Sequence, residues 1–427
     1  MRILFLCHRF PYPPNEGGKV RSFNMIRHLS RNHAVVVASL TRSEAERQAI
    51  AGLERYCAAV VSASIGPAAA WLKTLLALPT PRPSSFGYFA SQTLARRLRA
   101  LWAAQSFDLV IAHSSSAGPY AAALTGVPKI IDFCDMDSRK WLTYRDQRPF
   151  PISLGYGLEG IKLARAERRL AAEFDCATCA TPAELESLEA IAPGVRGDWF
   201  PNGVDLDFFQ PREGAYDPDQ LCFLGRMDYY PNAQAMTAFV QQVLPLIRAQ
   251  RPRTKLAIVG ASPSAAVRAL AQVEGVTVTG SVPDVRPFLA AAACSIAPLV
   301  IARGTQNKIL ESLAMGVPVV ASGQAARGLD AVPGEHLLAA DGPAATAAAL
   351  LGLLADPQER RRLALAGRAR MESHHSWAGA MAKLDRIIAQ TMARAPVDPG
   401  VDPGANPGVN HAVKSRADSL GAEVHGG

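Results

Sequence analysis

The sequence predicts an α/β protein of two doubly wound domains, each a parallel β-sheet covered by helices on both faces. Short continuous apolar runs, typical of strands buried on both faces, alternate with segments of helical length. This series starts at the N-terminus and starts again after residues 200–211, where proline and glycine interrupt the chain. The length of 427 residues also favours two domains over one.

The strand-like runs of the first domain are separated by a long loop, "CHRFPYPPNEGG", and a helix at 19–31. The predicted first-domain strands are 3–6, 34–40, 108–113 and 128–133. The predicted second-domain strands are 221–225, 255–260, 276–280, 294–299 and 318–322.

The predicted domain limits follow from these series. The first domain takes residues 1–205 and the second takes 206–375. Residues 376–393 show helical periodicity with an aromatic anchor at Trp377, which predicts a crossover helix that packs back across the domains. Residues 394–427 repeat a Pro/Gly unit, "VDPGVDPGANPG", and contain almost no large apolar side chain, so we expect a disordered tail.

Composition excludes several classes of protein. The net charge of +8 favours anionic ligands, anionic membrane surfaces or nucleic acid, but the basic residues are dispersed and no nucleic-acid motif is present. Seven scattered cysteines do not form a disulfide framework, and the Cys176/Cys179 pair lacks a second pair that would hold a metal. No window reaches 18 consecutive apolar residues, and the N-terminus is too polar for a signal peptide. We therefore expect a cytoplasmic protein.

The stretch "RGTQNKILESLAMGVPVVAS", 303–322, predicts an anion site at a helix start. With Thr305 as N-cap, the helix has an apolar side formed by Ile309, Leu310 and Leu313. The opposite, polar arc holds Asn307, Lys308, Glu311 and Ser312. Free N–H groups and a lysine favour a diphosphate, and a carboxylate one turn deeper can accept from ribose hydroxyls. The alternative is a capped surface helix with a weak Lys/Glu pair.

Other candidates lie at the predicted strand ends. Gly17 and Gly18 open the first helix and would let a phosphate approach the backbone closely, although glycines also make ordinary turns. Arg226 follows the first strand of the second domain, at the sheet edge where ligands bind, and its alternative is a surface arginine. His113 ends a first-domain strand, where a purely structural histidine is the alternative. The absence of GxGxxG counts against a nicotinamide dehydrogenase.

Together these residues resemble the GT-B glycosyltransferases of the large retaining family 4. The likeness covers about residues 1–390 and rests on the glycine pair at 17–18 and on four longer motifs. These motifs are "PNGVDLDFF", "GRMDYYPN", "VTVTGSVPDVRPFLAAAACSIAPL" and "GTQNKILESLAMGVPVVAS". The chain is also similar to sugar transferases of PEP-CTERM/exosortase exopolysaccharide systems, in "CHRFPYPPNEGGKVRSFNMIRHL" and "LPTPRPSSFGYFASQ". The family's fold is two Rossmann-like domains facing a cleft.

The resemblance implies roles for individual positions. Glu311 matches the family's second glutamate of E-x7-E and would hold the ribose, whereas the first glutamate falls at Arg303. Arg226 matches the phosphate-binding arginine, and Lys308 would supply the second charge because the usual lysine falls near Asn232. The remaining implied donor-side or sugar-side positions are Gly17, Gly18, His113, Ser281, Val282, Gly304, Thr305 and Asn307.

The resemblance also implies a reaction. A sugar would pass from a nucleotide sugar to a growing, lipid-linked exopolysaccharide with retention of configuration, without a metal or other cofactor. His113, Arg226 and Lys308 are the catalytic candidates, and "DFCDMDS" at 132–138 has acceptor or structural roles. Two alternatives stay open: an isomerase or hydrolase on the same scaffold, and a non-catalytic sugar-nucleotide binder, which Arg303 motivates.

A lipid-linked acceptor implies work at the inner face of the cytoplasmic membrane. Within residues 68–102, Trp71, Leu72, Leu75, Leu76 and Leu78 precede a proline break, and aromatic residues and then arginines follow, as in a segment that lies on anionic lipid. The aromatic residues after the proline break are Phe86, Tyr88 and Phe89, and the arginines are Arg96, Arg97 and Arg99. The alternative is an ordinary pair of helices with their apolar faces inward.

Overall fold

The computed structural model describes residues 1–15, 17–212, 214 and 216–394. Within these residues the chain forms two parallel β-sheets. The first sheet has the order β3-β2-β1-β4-β5-β6-β7 and the second has the order β10-β9-β8-β11-β12-β13. The strands of the first sheet are β1 Arg2–Cys7, β2 Ala34–Thr41, β3 Ala59–Ser64, β4 Leu109–His113, β5 Lys129–Cys134, β6 Cys176–Cys179 and β7 Gly197–Trp199. Those of the second are β8 Asp217–Leu224, β9 Lys255–Val259, β10 Val276–Val278, β11 Ala292–Ala297, β12 Val319–Ala321 and β13 Leu338–Ala339.

Helices connect the strands and cover both faces of each sheet. In the first half they are α1 Gly17–Leu29, α2 Glu44–Gln48, α3 Ile50–Glu54, α4 Pro67–Ala77, α5 Ser84–Tyr88, α6 Gln92–Ala104, α7 Gly118–Ala122, α8 Asp137–Asp146, α9 Ile152–Glu173 and α10 Pro182–Ile191. In the second half they are α11 Tyr230–Ala238, α12 Leu244–Arg248, α13 Ala265–Ala269, α14 Arg286–Ala290, α15 Asn307–Ala314, α16 Gly323–Ala326, α17 Pro343–Ala355, α18 Pro357–His374 and α19 Trp377–Arg394.

The predicted fold class, two doubly wound α/β domains, is confirmed by these sheets. Each predicted strand is present, and the chain passes from the first sheet to the second between Trp199 and Asp217. Four strands were not predicted: β3, β6, β7 and β13. They are short, or they are only partly buried, so they lack the continuous apolar run that marks an inner strand.

The crossover helix is also confirmed. Helix α19 returns from the second half of the chain and buries Met381, Leu384 and Ile388 in the core cluster that also contains Ile3 and Phe5 of β1. The tail predicted from residue 394 lies outside the described residues, except for Arg394, which ends α19.

A buried ion pair joins α1 to the centre of the first sheet. The Arg21 guanidinium makes two hydrogen bonds of 2.9 Å to the two Asp132 carboxylate oxygens, and both side chains are at most 1% exposed. Burial alone would raise the pKa of Asp132, but the Arg21 charge and the hydrogen bonds from His113 and Arg21 hold that pKa well below its usual value. Asp132 is therefore an ionised carboxylate inside the core.

Candidate active site

Helix α15 carries most of the predicted nucleotide-binding side chains. Its N-cap is Gln306, whose side-chain amide donates to the Arg303 carbonyl oxygen (2.9 Å) and does not cap the helix. The predicted cap at Thr305 is wrong, because this turn through Gln306 starts the helix two residues after Thr305. The Thr305 hydroxyl is buried and has no hydrogen-bond partner in the structure as described.

The apolar side of α15 matches the prediction, and the polar arc matches it in part. Ile309, Leu310 and Leu313 are at most 1% exposed and pack in the second domain's core. Ser312 was placed on the polar arc but is fully buried. Its hydroxyl contacts the Lys308 carbonyl oxygen (2.7 Å) and the Ser295 hydroxyl (2.8 Å), so these hydrogen bonds allow a small polar group to lie against the sheet.

Asn232 links the Lys308 side chain to the backbone of Arg226. The Lys308 ammonium donates to Asn232 Oδ1 (2.7 Å), and the Asn232 amide donates to the Arg226 carbonyl oxygen (2.8 Å). The lysine also stands over the Phe223 ring at 4.7 Å from its centre. Asn232 thus holds the Lys308 side chain near the backbone of Arg226.

The two ionisable side chains of α15, Lys308 and Glu311, have pKa values near neutral pH. Burial lowers the pKa of Lys308 to about 7, and the Glu311 charge opposes that shift. Burial raises the pKa of Glu311 to about 7, and the Lys308 charge opposes that shift as well. A bound diphosphate would favour the protonated lysine, because an opposite charge nearby stabilises the charged form.

Arg226 follows β8, as predicted, and its side chain is 42% exposed. It makes hydrogen bonds of 3.0 and 2.6 Å to the two Asp228 carboxylate oxygens. The guanidinium is thereby held at the carboxyl edge of the second sheet. Ser281 and Val282 follow β10 at the same edge; Ser281 is exposed and Val282 packs against an apolar cluster that includes Leu289.

The start of α1 faces the start of α15 across the cleft between the sheets. A Cβ at Gly17 would lie 3.6 Å from the Asn307 side-chain nitrogen, whereas a Cβ at Gly18 would meet no atom within 4 Å among the described residues. The two glycines therefore leave space next to the helix N-terminus that was predicted to bind phosphate.

A hydrogen-bond network, which we call the interdomain network, crosses the cleft. His113 Nδ1 contacts Asp132 at 2.8 Å, and Asp132 binds Arg21. Arg21 donates to Asn202 Oδ1 (3.0 Å), and the Asn202 amide donates to Asn307 Oδ1 (3.3 Å). His113 is thus oriented by a core carboxylate and connected to the first residue of α15.

The sequence analysis assigned no role to Arg21 or Asn202, and it gave Asp132 only the acceptor or structural role expected for residues 132–138. A signal for two of them exists in the sequence: Arg21 lies on the buried face of α1 and Asp132 lies inside an apolar strand. Charged groups in such positions need partners. Asn202 is part of the motif "PNGVDLDFF" but shows no such local signal.

Arg303 faces the first domain. Its guanidinium contacts a Glu184 carboxylate oxygen at 3.0 Å, and Glu184 also accepts a hydrogen bond from the Met136 backbone N–H (2.7 Å). Next to Arg303, Gly304 has a positive φ of 59° and lies directly against the Asp135 carboxylate. The loop that begins α15 is therefore in contact with the loop that follows β5 and with the first turn of α10.

Among residues 1–394 as described, no group of three histidine, cysteine, aspartate or glutamate side chains could hold a metal ion. The paired Cys176 and Cys179 lie on β6, where both are buried.

Comparison with known families agrees with this geometry. Residues 218–356 match the family described as glycosyl transferases group 1, and residues 16–203 match the glycosyl transferase 4-like domain. The chain is therefore a glycosyltransferase, with a second domain of the group 1 type and a first domain of the 4-like type. The two matches fall on the two sheets of this glycosyltransferase, one on each. No curated protein matches the chain in sequence.

Solved structures show that the fold is GT-B. Sucrose-phosphate synthase from Thermosynechococcus elongatus has a TM-score of 0.68 at 16% identity, over 92% of this glycosyltransferase and 100% of that chain. HepE from Anabaena, solved with UDP and glucose, has a TM-score of 0.67 at 14% identity, over 91% and 100%. WaaG, a glycosyltransferase involved in lipopolysaccharide biosynthesis, has a TM-score of 0.61 at 14% identity, over 90% and 99%.

Proposed function

We propose that this glycosyltransferase moves a sugar from a nucleotide-sugar donor to a lipid-linked exopolysaccharide with retention of configuration. The observation that carries the proposal is the pair Lys308 and Glu311 on α15, with Asn232 linking Lys308 to the backbone of Arg226. Two cations and free helix N–H groups suit a diphosphate, and a carboxylate one turn further suits a ribose. HepE, which shares the fold, was solved with UDP, and this supports a nucleotide sugar as donor.

The chemistry follows from where charge develops. As the bond between sugar and phosphate breaks, negative charge grows on the leaving diphosphate and positive character grows on the anomeric carbon. Lys308 and Arg226 would stabilise the leaving group without a metal. The configuration would be retained because the acceptor would attack the anomeric carbon from the same face that the diphosphate leaves. His113, held by Asp132, would contact the transferred sugar.

The nucleotide site is tested by Glu311→Ala. We expect this substitution to weaken binding of a free nucleoside diphosphate by about 1.5–3 kcal/mol, because a hydrogen bond to a charged group is lost. Calorimetric titration with UDP, GDP and ADP measures the affinity and identifies the base. Glu274→Ala, at an exposed position, is the control and should bind as the wild type does. Unchanged affinity of Glu311→Ala for the preferred nucleotide would contradict the assignment.

We also propose that the enzyme works at an anionic membrane, where a lipid-linked acceptor is found. Helix α4 and the start of α9 expose a set of large apolar side chains, which we call the apolar surface. It consists of Trp71, Leu72, Leu75, Leu76, Leu78, Phe150, Ile152, Leu154, Leu158 and Ile161, each 45–81% exposed. Lys162 of α9 joins the two parts by donating to the carbonyl oxygens of Ala77 (3.3 Å) and Leu78 (2.7 Å). Exposed apolar side chains in such number mark an interaction surface.

The apolar surface differs from the predicted segment. Phe86 and Phe89, predicted to meet lipid, are buried in the first domain's core, because α5 packs under α4. The exposed apolar side chains at the start of α9 were not part of the predicted segment, and they form the second part of the apolar surface. Arg96 and Arg99 are exposed on α6, and Arg97 there donates to the Ser62 carbonyl oxygen. No helix among the described residues is long and apolar enough to span a bilayer.

The apolar surface lies close to the cleft. Helix α9 follows α8, whose Tyr144 hydroxyl contacts the Tyr229 hydroxyl of the second domain at 3.2 Å. A lipid held at the start of α9 would therefore lie one helix away from the contact between the two domains. WaaG, which shares the fold, is involved in lipopolysaccharide biosynthesis, and this supports a lipid-linked acceptor.

Vesicle binding tests the membrane contact. The triple substitution Trp71→Ser, Leu72→Ser and Leu76→Ser should reduce co-sedimentation with anionic vesicles several-fold, since apolar insertion is lost. Wild-type binding should also fall as salt rises. Leu246→Ser with Leu365→Ser, at exposed leucines elsewhere, is the control. Sedimentation of the triple variant at the wild-type level would contradict the proposal.

A further inference from the structure

Asp135 reaches from the first domain to the loop that begins α15. It follows β5 at the carboxyl edge of the first sheet. A Cβ at Gly304 would lie 1.8 Å from Asp135 Oδ1, so the carboxylate lies against the glycine and no side chain fits there. On its other side, Gly304 is packed closely as well, because a Cβ at Gly328 would lie 1.9 Å from the Gly304 carbonyl oxygen.

Three buried polar atoms near this contact have no hydrogen-bond partner in the described part of the chain. They are Asp135 Oδ1, Arg303 Nε and Thr305 Oγ1. Buried polar groups are nearly always paired, and leaving one unpaired lowers stability. Arg303 and Thr305 flank Gly304, which Asp135 contacts, and an acceptor, a donor and a hydroxyl are the groups that a polyhydroxylated ligand would satisfy.

The neighbours of Asp135 favour a ligand over an internal partner. Burial raises the pKa of Asp135 to about 7, and the Glu184 charge adds to this shift. Lys140 and Arg21 act in the opposite direction, and Asp137 raises the pKa further. Arg303, next to Gly304, contacts Glu184 through Nη1. Asp135 thus has one buried oxygen without a hydrogen bond, and this oxygen lies against Gly304 in the loop of residues 303–306.

We propose that Asp135, with Arg303 and Thr305, binds hydroxyl groups of the transferred sugar. This inference rests on the proposed function, since it assigns the sugar part of the nucleotide sugar to the space between the two loops. The loop of residues 303–306 must shift from Asp135 as the sugar enters, because the three atoms are covered in the present arrangement. Asp135 is then a sugar-contacting residue supplied by the first domain, while α15 supplies the contacts to the nucleotide.

The test is Asp135→Asn, which keeps the side-chain shape and removes the charge. We expect kcat/KM for the nucleotide sugar to fall at least tenfold, while the calorimetric affinity for the free nucleoside diphosphate stays within twofold of wild type. Asp146→Asn, at the exposed end of α8, is the matched control and should retain wild-type values of both.

Three other outcomes are informative. If the wild type transfers sugar and Asp135→Asn keeps kcat/KM within threefold, this inference fails and the proposed function stands. If Asp135→Asn loses affinity for the free nucleoside diphosphate as strongly as it loses kcat/KM, the residue acts on the arrangement of the domains and the inference is overturned. A wild-type protein that neither binds a nucleoside diphosphate nor uses any nucleotide sugar would overturn both.

Discussion

Arg21→Leu is expected to lower the free energy of unfolding by about 3–5 kcal/mol, the range for removing one partner of a buried ion pair. The arginine makes two hydrogen bonds to Asp132, donates to the Phe200 carbonyl oxygen (3.0 Å) and lies 3.6 Å from the centre of the Phe200 ring. Leucine would leave an ionised carboxylate in the core without its cation. Chemical denaturation followed by circular dichroism measures the change.

The control for Arg21→Leu is Arg47→Leu. Arg47 pairs with Glu44 on α2, but its side chain is 48% exposed. Exposed ion pairs contribute about 0–1 kcal/mol, so this variant should unfold almost as the wild type does. A loss below 1 kcal/mol for Arg21→Leu would show that the buried pair does not hold α1 to the sheet.

Lys308→Met is expected to reduce turnover at saturating donor by tenfold or more. Methionine keeps much of the packing on Phe223 but removes the charge that would stabilise the leaving diphosphate. Each factor of ten corresponds to about 1.4 kcal/mol in the activation free energy. The initial rate of nucleoside diphosphate release measures the effect. Arg226→Ala should cause a loss of the same order, since both cations would act on the same leaving group.

The control is Lys255→Met, whose lysine is exposed and pairs with Asp217 on the second sheet. This variant should keep wild-type turnover. If Lys308→Met also turned over at the wild-type rate with saturating donor, the lysine would have no part in stabilising the leaving group.

The fold could be predicted where local pattern determines structure. Strands buried on both faces, such as β1, β2 and β8, show continuous apolar runs, and each was found. Strands β7 and β13 have three and two residues, so they carry too little pattern to be recognised. Their positions depend on the neighbouring strand, which supplies the hydrogen bonds.

The candidate site could be predicted only within α15 and at the strand ends. Helical periodicity placed Lys308 and Glu311 on one side of α15 and Ile309 on the other. The same reasoning failed for Ser312, because periodicity does not show that Ser295 lies opposite to accept its hydrogen bond.

Contacts between the domains have no signature in local sequence. Arg303 and Glu184 are 119 residues apart along the chain, and Asn202 and Asn307 are 105 residues apart. Such pairs meet because the two sheets face one another, so they follow from the fold and not from any motif. The sequence shows an arginine at position 303, where the resembled family has a glutamate. It does not show that Glu184 is the partner of that arginine.

Transfer of a labelled sugar is the most direct test of the central claim. Wild-type protein is incubated with radiolabelled UDP-, GDP- and ADP-sugars and with a membrane lipid extract as acceptor. We expect label to enter the lipid fraction from one donor class, with release of the nucleoside diphosphate, and Lys308→Met to abolish most of that incorporation. Donor binding without any transfer would indicate a non-catalytic binder. Recovery of an altered nucleotide sugar would indicate an isomerase, and recovery of free sugar would indicate a hydrolase. Each of these results would contradict the proposed transfer of a sugar to a lipid-linked acceptor.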